Sequence, residues 1–492
     1  MWRARVHLAA ALGAAAFALA ADRGCADVCT VGDRGLTPPA GLEESTSCLD
    51  ADPEATRVVI AGRVFCDLAA FPIAGIVGDY HDDVATGFRF DAARFTAEVD
   101  AALTAAGARG YAWTLIQAGR PAASRVVAEG RGGFAVAGAD APGGAAIPFT
   151  TRTPSNIGSV TKLLAAVGLV RAYERVVADL PPEQRYTLRQ LLNVPFFALL
   201  PTRWQSRHDT DNGLREVTIG QLLLHTSRLV GAERDRGVDD IIESLAHDSA
   251  TADLADNPRG YANINYRLLF VLIGALLDPD ALRTVERDHA DRCDADFDDA
   301  YLRAAAVLTR DHLESFVFSA VPGEMPATDC DPATFGADWK ARIAWAYRDE
   351  RDGDGSTYNS FTANPGYCST TGGYYSSADD LGALLHAYHG GLITPEHRTI
   401  LEGGSGMGWY AVRRASAPFG DPVLDASGVA ILRKHGTQPI AGTDDIYRAS
   451  TYKLPYGHYL ALTVNSSYAD GSSPGTRGSE LAAAFAAAFS LD

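Results

Sequence analysis

Ser159 and Lys162 stand three residues apart in Ser159-Val160-Thr161-Lys162. On a helix, positions i and i+3 share a face, which brings a lysine amine within reach of a serine hydroxyl. A hydroxyl becomes a good nucleophile when a neighbouring base removes its proton, and a desolvated lysine with a depressed pKa can be that base. A helix start adds backbone N–H groups and the positive end of the dipole. Two further clusters offer complementary chemistry. Tyr261-Ala262-Asn263 joins a phenol, which shuttles protons beside a cation, to an amide that holds a substrate carbonyl or the lysine itself. Lys434-His435-Gly436-Thr437 closes a run that reads as a strand. Its glycine lets a substrate lie against the strand edge, and a backbone N–H there would complete an oxyanion hole with that of Ser159. Each cluster also has an ordinary reading: a solvated lysine near a serine cap, a core tyrosine with a helix-capping asparagine, a half-buried strand histidine.

Periodicity supplies the elements that would position them. Residues 159–177 are strongly helical, with Leu163, Ala166, Val167 and Val170 on one face. A second helix over 266–277 follows the Tyr-x-Asn cluster. Near the start, a helix over 95–106 precedes strands at 111–116 and 124–129, joined at Gly119-Arg120-Pro121 as a hairpin. Strands return at 408–412, 428–433, 445–450 and 459–464, and an alanine-rich helix at 479–489 closes the chain. Helix and antiparallel strands, rejoined by C-terminal strands, make an α+β layout: an antiparallel sheet flanked by helices, plus an all-helical region. The charged stretch 284–350 reads as an insertion.

Composition narrows the class. With 492 residues, 47% hydrophobic and 21% charged, the chain is ordinary globular protein. A formal net charge of -18 repels phosphate backbones and anionic lipid, arguing against nucleic-acid and membrane partners. Only four of its 43 basic residues are lysines, at 162, 340, 434 and 453. The rest are arginines, which do not act as neutral bases near pH 7, and two of the four lysines lie inside the clusters above. Residues 1–20 read as a secretory signal: Arg3 and Arg5, an apolar stretch over 8–19, and a small-residue cleavage site at Ala18-Leu19-Ala20. The apolar run is too short to span a bilayer, so the expected protein is exported, periplasmic or extracellular. All seven cysteines (25, 29, 48, 66, 293, 330, 368) lie beyond that segment, where an oxidising compartment would pair most of them. The odd count leaves one over, and Cys330 with Cys368 is one pairing that would staple a polar stretch. Residues 21–88 read as a cysteine-containing extension and 89–492 as the main domain.

The order Ser-x-x-Lys, Tyr-x-Asn, Lys/His-x-Gly resembles the penicillin-recognising serine hydrolases, nearest the branch of class C β-lactamases, D-alanyl-D-alanine carboxypeptidases and related esterases. Three flanking stretches share the resemblance. Phe149 to Pro154, leading to Ile157-Gly158-Ser159, is similar to the family's approach to its nucleophile. Residues 217–227 resemble its LLxHTSGL segment, and 371–381 its GGLYSTAxDL segment. The resemblance runs from about residue 91 to the C-terminus. It implies the β-lactamase/transpeptidase-like fold and acyl-enzyme formation at Ser159, with Lys162 and Tyr261 as general base and acid. Asn263, Lys434, His435, Gly436 and Thr437 would bind substrate and, through the Ser159 and Thr437 amides, the oxyanion. It implies no metal and no organic cofactor, a small-molecule or peptide substrate, and no assigned oligomeric state.

Two departures bear on specificity. Arg228 stands where the family has a turn glycine, and His435 stands where lactamases and carboxypeptidases favour threonine. The second tilts the substrate order toward esters, then D-aminopeptides, carboxypeptidase substrates and β-lactams. The competing reading is a catalytically inactive protein of the same fold that binds peptidoglycan-like ligands. Two weaker signals fail their own tests. Asp352-Gly353-Asp354-Gly355-Ser356 begins like a calcium loop, but position 12 is Ala363 instead of glutamate. His386 and His389 share a helix with no glutamate to complete a zinc motif.

Overall fold

The computed structural model describes residues 57–73, 88–208, 212–231, 239–250, 253–257, 260–348, 355–358, 368, 370–403, 407–411, 432–440, 442–454, 456–468, 481, 483–485 and 487–491. The expected signal, Cys25, Cys29, Cys48 and most of the 21–88 extension lie outside these residues, as do Asp352 to Asp354. The described chain opens with the hairpin β1 (Arg57–Ile60) and β2 (Arg63–Cys66), then β3 (Phe88–Phe90) and α1 (Ala92–Ala105). Strands β4 (Gly110–Gln117), β5 (Val126–Val136), β6 (Ile147–Pro148) and β7 (Ser155–Asn156) follow. The principal helices of the middle are α2 (Thr161–Asp179), α3 (Ile219–Leu223), α4 (Asp239–Ser249), α5 (Ile264–Leu277), α6 (Pro279–Asp288) and α7 (Asp294–His312). Then come β8 (Tyr375–Ser376), α8 (Ala378–Ala387), β9 (Tyr410–Ala411), β10 (Leu432–Pro439), β11 (Ile446–Leu454), β12 (His458–Val464) and β13 (Phe489–Leu491).

Seven strands form one antiparallel sheet in the order β6-β5-β4-β12-β11-β10-β9. The pleat sends alternate residues to opposite faces, and β4 and β12 are buried on both. Trp113, Leu115, Leu460 and Leu462 meet Phe95, Val99 and Leu103 of α1 together with Leu481 and Phe485. On the other face Ile116, Tyr459 and Ala461 join the large core with α2, α5, α7 and α8. Both α2, over its first ten residues, and α5 are buried almost all round, as expected of helices at the centre of a large core. Gly274 lets α7 approach, since a Cβ there would lie 3.0 Å from the Cα of Ala305.

The α+β expectation is met: an antiparallel sheet flanked by helices, beside a helical region. Boundaries differ in informative places. The second hairpin strand continues to Val136, because Gly130 and Gly132 carry no side chain into Trp113 and Tyr111, and Gly133 none into the Arg109 carbonyl. The strand expected at 428–433 is β10, running on to Pro439; its first four expected residues lie outside the described ones. Lys434 to Thr437 are therefore mid-strand, held in register by β11 (His435 opposite Ser450, Thr437 opposite Arg448). At the C-terminus, Phe489 belongs to β13, which pairs with β3, so the closing helix stops short of it. Residues 284–350 contain α7, whose Phe297, Tyr301, Leu302 and Ala305 pack in the same core as α5. Cys330 and Cys368 form a disulfide, and Cys66 is also disulfide-bonded.

Three of the four lysines are buried: Lys162 is 0% exposed, Lys434 1% and Lys453 1%. Burying an ammonium is costly unless a counter-charge or acceptors meet it. Lys453 on β11 meets Glu402, Nζ to Oε2 2.8 Å. Removing that counter-charge in Glu402→Gln is expected to cost about 3–5 kcal/mol in denaturant unfolding. Replacing both partners, Lys453→Met with Glu402→Leu, is expected to restore most of the loss. A single variant as stable as wild type would contradict this.

Candidate active site

Ser159 lies in a 3-10 turn, Gly158–Val160, that runs directly into α2. The sequence reading started the helix at Ser159; the tighter turn before it exists because two glycines interlock. Gly158 has φ +48°, and a Cβ on it would lie 2.8 Å from the amide nitrogen of Thr437. A Cβ on Gly436 would lie 2.0 Å from the Ile157 carbonyl oxygen and 2.6 Å from the Ser159 amide nitrogen. The nucleophile turn and β10 are pressed together backbone to backbone around these two glycines. The turn is also tied to the residue before β8, with Ile157 N–H donating to the Tyr374 carbonyl at 2.9 Å.

Lys162, the second residue of α2, donates from Nζ to Ser159 Oγ at 3.0 Å, to Asn263 Oδ1 at 2.9 Å and to the Thr371 carbonyl at 2.7 Å. Ser159 Oγ lies 2.7 Å from the hydroxyl of Tyr261. Asn263 occupies the N-cap position of α5 but makes no capping bond with its side chain; its oxygen serves Lys162 instead. Tyr261, in the loop just before, is 51% exposed, and its ring centre lies 4.9 Å from Lys162 Nζ. Two of the three acceptors of Lys162 can only accept, while the third, the serine hydroxyl, can accept or donate. A neutral amine spending its two N–H groups on Asn263 and Thr371 keeps its lone pair for the Ser159 proton.

Lys434 enters the same cluster from β10. Its Nζ donates to the Tyr410 hydroxyl at 3.1 Å and lies 4.3, 5.5 and 5.8 Å from the ring centres of Tyr410, Tyr261 and Tyr266. Burial pulls the Lys434 ammonium down to about 7. His435, partly buried, is pulled down to about 4 by burial and by Arg433 and Lys434. Its ring lies 6.2 Å from that of Tyr410. Thr437 is exposed and Gly436 buried. The eight residues singled out in the sequence thus share one site, although they are spread along the chain from Ser159 to Thr437.

Other residues of this site were not singled out. His225 stacks on Tyr261 (ring centres 4.4 Å) and on Tyr266 (5.1 Å). Its Nδ1 accepts from the Ala262 backbone at 3.4 Å and from the Asn265 amide at 3.1 Å, so it braces the Tyr261–Asn263 loop. Burial, then Lys434 and Lys162, push its pKa down to about 3, and the imidazole is neutral. The quoted HTS segment contained this residue, but nothing in the segment pointed toward Tyr261. Thr371 acts through its backbone carbonyl and Tyr410 lies far along the chain, so neither had a side-chain signal. Arg228 takes the left-handed conformation (φ +64°) that a glycine would adopt more easily; its guanidinium donates to the Ala255 carbonyl, so the loop keeps its shape. His386 and His389 are hydrogen-bonded to the Arg120 carbonyl and the Tyr459 hydroxyl, in keeping with structural roles. A cluster of potential metal ligands among the described residues, Asp329 with Cys330 and Cys368, has both sulfurs joined to each other.

The sequence model of the beta-lactamase family matches residues 95–473. Solved structures agree in fold. A class C β-lactamase from Rhodobacter sphaeroides superposes with TM-score 0.51 at 16% identity, covering 80% of this chain and 98% of its own. A β-lactamase/D-alanine carboxypeptidase from Pseudomonas syringae gives 0.51 at 14%, covering 80% and 97%. An octameric penicillin-binding protein homologue from Pyrococcus abyssi gives 0.50 at 16%, covering 78% and 76%. No curated protein matches the chain.

The His225 brace has a pH signature. Its pKa falls from the usual 6.5 to about 3 on folding, so between these values the folded chain binds fewer protons than the unfolded one. Stability from this group therefore drops as pH falls from 6.5 toward 3. His225→Phe keeps the stack and removes the titration. Its stability is expected to be about 1–3 kcal/mol lower at neutral pH, with buried donors left unpaired, and to fall less steeply toward pH 4. Denaturant midpoints across that range check this; parallel curves for the two proteins would contradict it.

Proposed function

Since the chain belongs to the beta-lactamase family, and is a serine hydrolase of that fold, we propose that it forms its acyl-enzyme at Ser159. The proposed substrates are esters, amides or D-amino-acid peptides, with the protein exported to an oxidising compartment. The observation that carries this reading is the position of Ser159 Oγ, 3.0 Å from Lys162 Nζ and 2.7 Å from Tyr261 Oη, with the amine held by two further acceptors.

In this account, Lys162 takes the Ser159 proton as Oγ bonds to the substrate carbonyl carbon. The carbonyl π pair moves to oxygen, where the Ser159 and Thr437 amides meet it. Tyr261 passes a proton to the leaving group as its bond breaks, leaving an ester on Ser159. The same pair then takes a proton from water as it attacks that ester, and Ser159 recovers its hydrogen. Asn263 holds Lys162 and meets the substrate amide. Lys434 and His435 line the side that receives an acidic substrate group, and Gly436, with no side chain, lets β10 close on the Ser159 turn. His435 in place of threonine favours esters over β-lactams. The Cys330–Cys368 disulfide supports an exported protein.

Intact-mass spectrometry tests the reading. Wild-type protein treated with a fluorophosphonate is expected to gain one phosphonyl group, and Ser159→Ala none; a parallel reaction with a penicillin sorts esterase from penicillin-binder. Folded wild-type protein that takes neither probe would contradict the reading and favour a binding protein on this fold.

A further inference from the structure

Lys434 is a buried amine without a carboxylate partner: among the described residues its Nζ has one hydrogen-bond acceptor, the Tyr410 hydroxyl. We propose that Tyr410 is a positioning residue for Lys434, its phenolic oxygen fixing the amine beside Tyr261 and favouring the charged form. Tyr410 reaches the site from β9, which pairs with β10 at Leu432 and Arg433 alone among the described residues. It thereby stands one residue from Lys434, across the strands. Its ring covers the ammonium at 4.3 Å while its oxygen accepts, so it supplies both a π face and a lone pair.

The surroundings make that lone pair decisive. Facing Lys434 are the rings of Tyr261 and Tyr266 from the α5 end, and Lys162 and His225 from α2 and from the loop after α3. Its own strand adds Arg433 and His435, and Thr451 of β11 stands opposite. His225 and His435 are neutral, their pKa values pulled down to about 3 and about 4. Aromatic faces attract a cation weakly compared with a hydrogen bond made to a charged donor. Burial already brings Lys434 to about 7, where charged and neutral forms are nearly balanced at neutral pH, so its one acceptor bears directly on that balance. The consequence for catalysis rests on the proposed function, in which Lys434 receives an acidic substrate group.

The test reads Lys434 directly and needs no turnover. With four lysines in the chain, selective 13C labelling at Cε gives a four-signal NMR spectrum, and Lys434→Met identifies the signal lost. In Tyr410→Phe the Lys434 midpoint is expected to fall by about one pH unit, a roughly tenfold weaker affinity for the proton, as expected for losing a hydrogen bond to a charged group. The Lys340 and Lys453 signals stay in place and report folding. Tyr410→Leu, lacking ring and hydroxyl, is expected to fall further. Titration curves for either folded variant that coincide with wild type would overturn the proposal. Because no substrate is used, that result would stand apart from any failure of Ser159 to acylate.

Discussion

A lysine amine with no solvent exposure has to be surrounded by acceptors, and three separate segments of this chain supply them for Lys162. The turn before α2 offers the Ser159 hydroxyl, the cap of α5 offers Asn263, and the 370–376 stretch offers the Thr371 carbonyl. Each segment must be held in place for the amine to be tolerated. A buried ammonium that lost one acceptor would bear a desolvation penalty of several kcal/mol. The same demand that makes Lys162 expensive to bury makes its surroundings rigid, and rigid surroundings are what a general base needs.

The rest of the fold is arranged around that requirement. The central helices α2 and α5 are buried nearly all round, so Lys162 and Asn263 stand at the starts of two deeply packed elements of the helical region. Glycines at 158 and 436 let β10 close on the nucleophile turn without side chains between. The Cys330–Cys368 disulfide ties the approach to Thr371, and Thr370 donates to the Tyr266 carbonyl of α5. Tyr261 is held between the His225 ring and the lysines. In the proposed chemistry, its exposed hydroxyl is the mobile proton of an otherwise fixed assembly.

Much of this was legible in the sequence where chemistry and pattern coincide. The lysine scarcity pointed at positions 162 and 434 because a charge is kept in a core only where something depends on it, although Lys453 shows that an ion pair is reason enough. The apolar runs over α2 and α5 gave those helices because nothing polar interrupts them. β10 was harder: Lys434, His435 and Gly436 have little intrinsic strand preference, and their conformation comes from pairing with β11. Residues that contribute through a backbone carbonyl, as Thr371 does, or through a ring meeting another across the fold, as His225 and Tyr410 do, leave no local pattern to read. The Ser159 turn was misplaced by one element for the same reason, since its geometry is set by the strand pressed against it.

The central claim is that Lys162 activates Ser159, and the second-order rate of Ser159 phosphonylation in Lys162→Met tests it most directly. Methionine keeps most of the volume and removes the base. The account predicts a fall of about 10²–10⁴ relative to wild type, the usual contribution of a positioned proton acceptor, with a folded protein and an intact Ser159. A Lys162→Met protein that reacts at nearly the wild-type rate would contradict it.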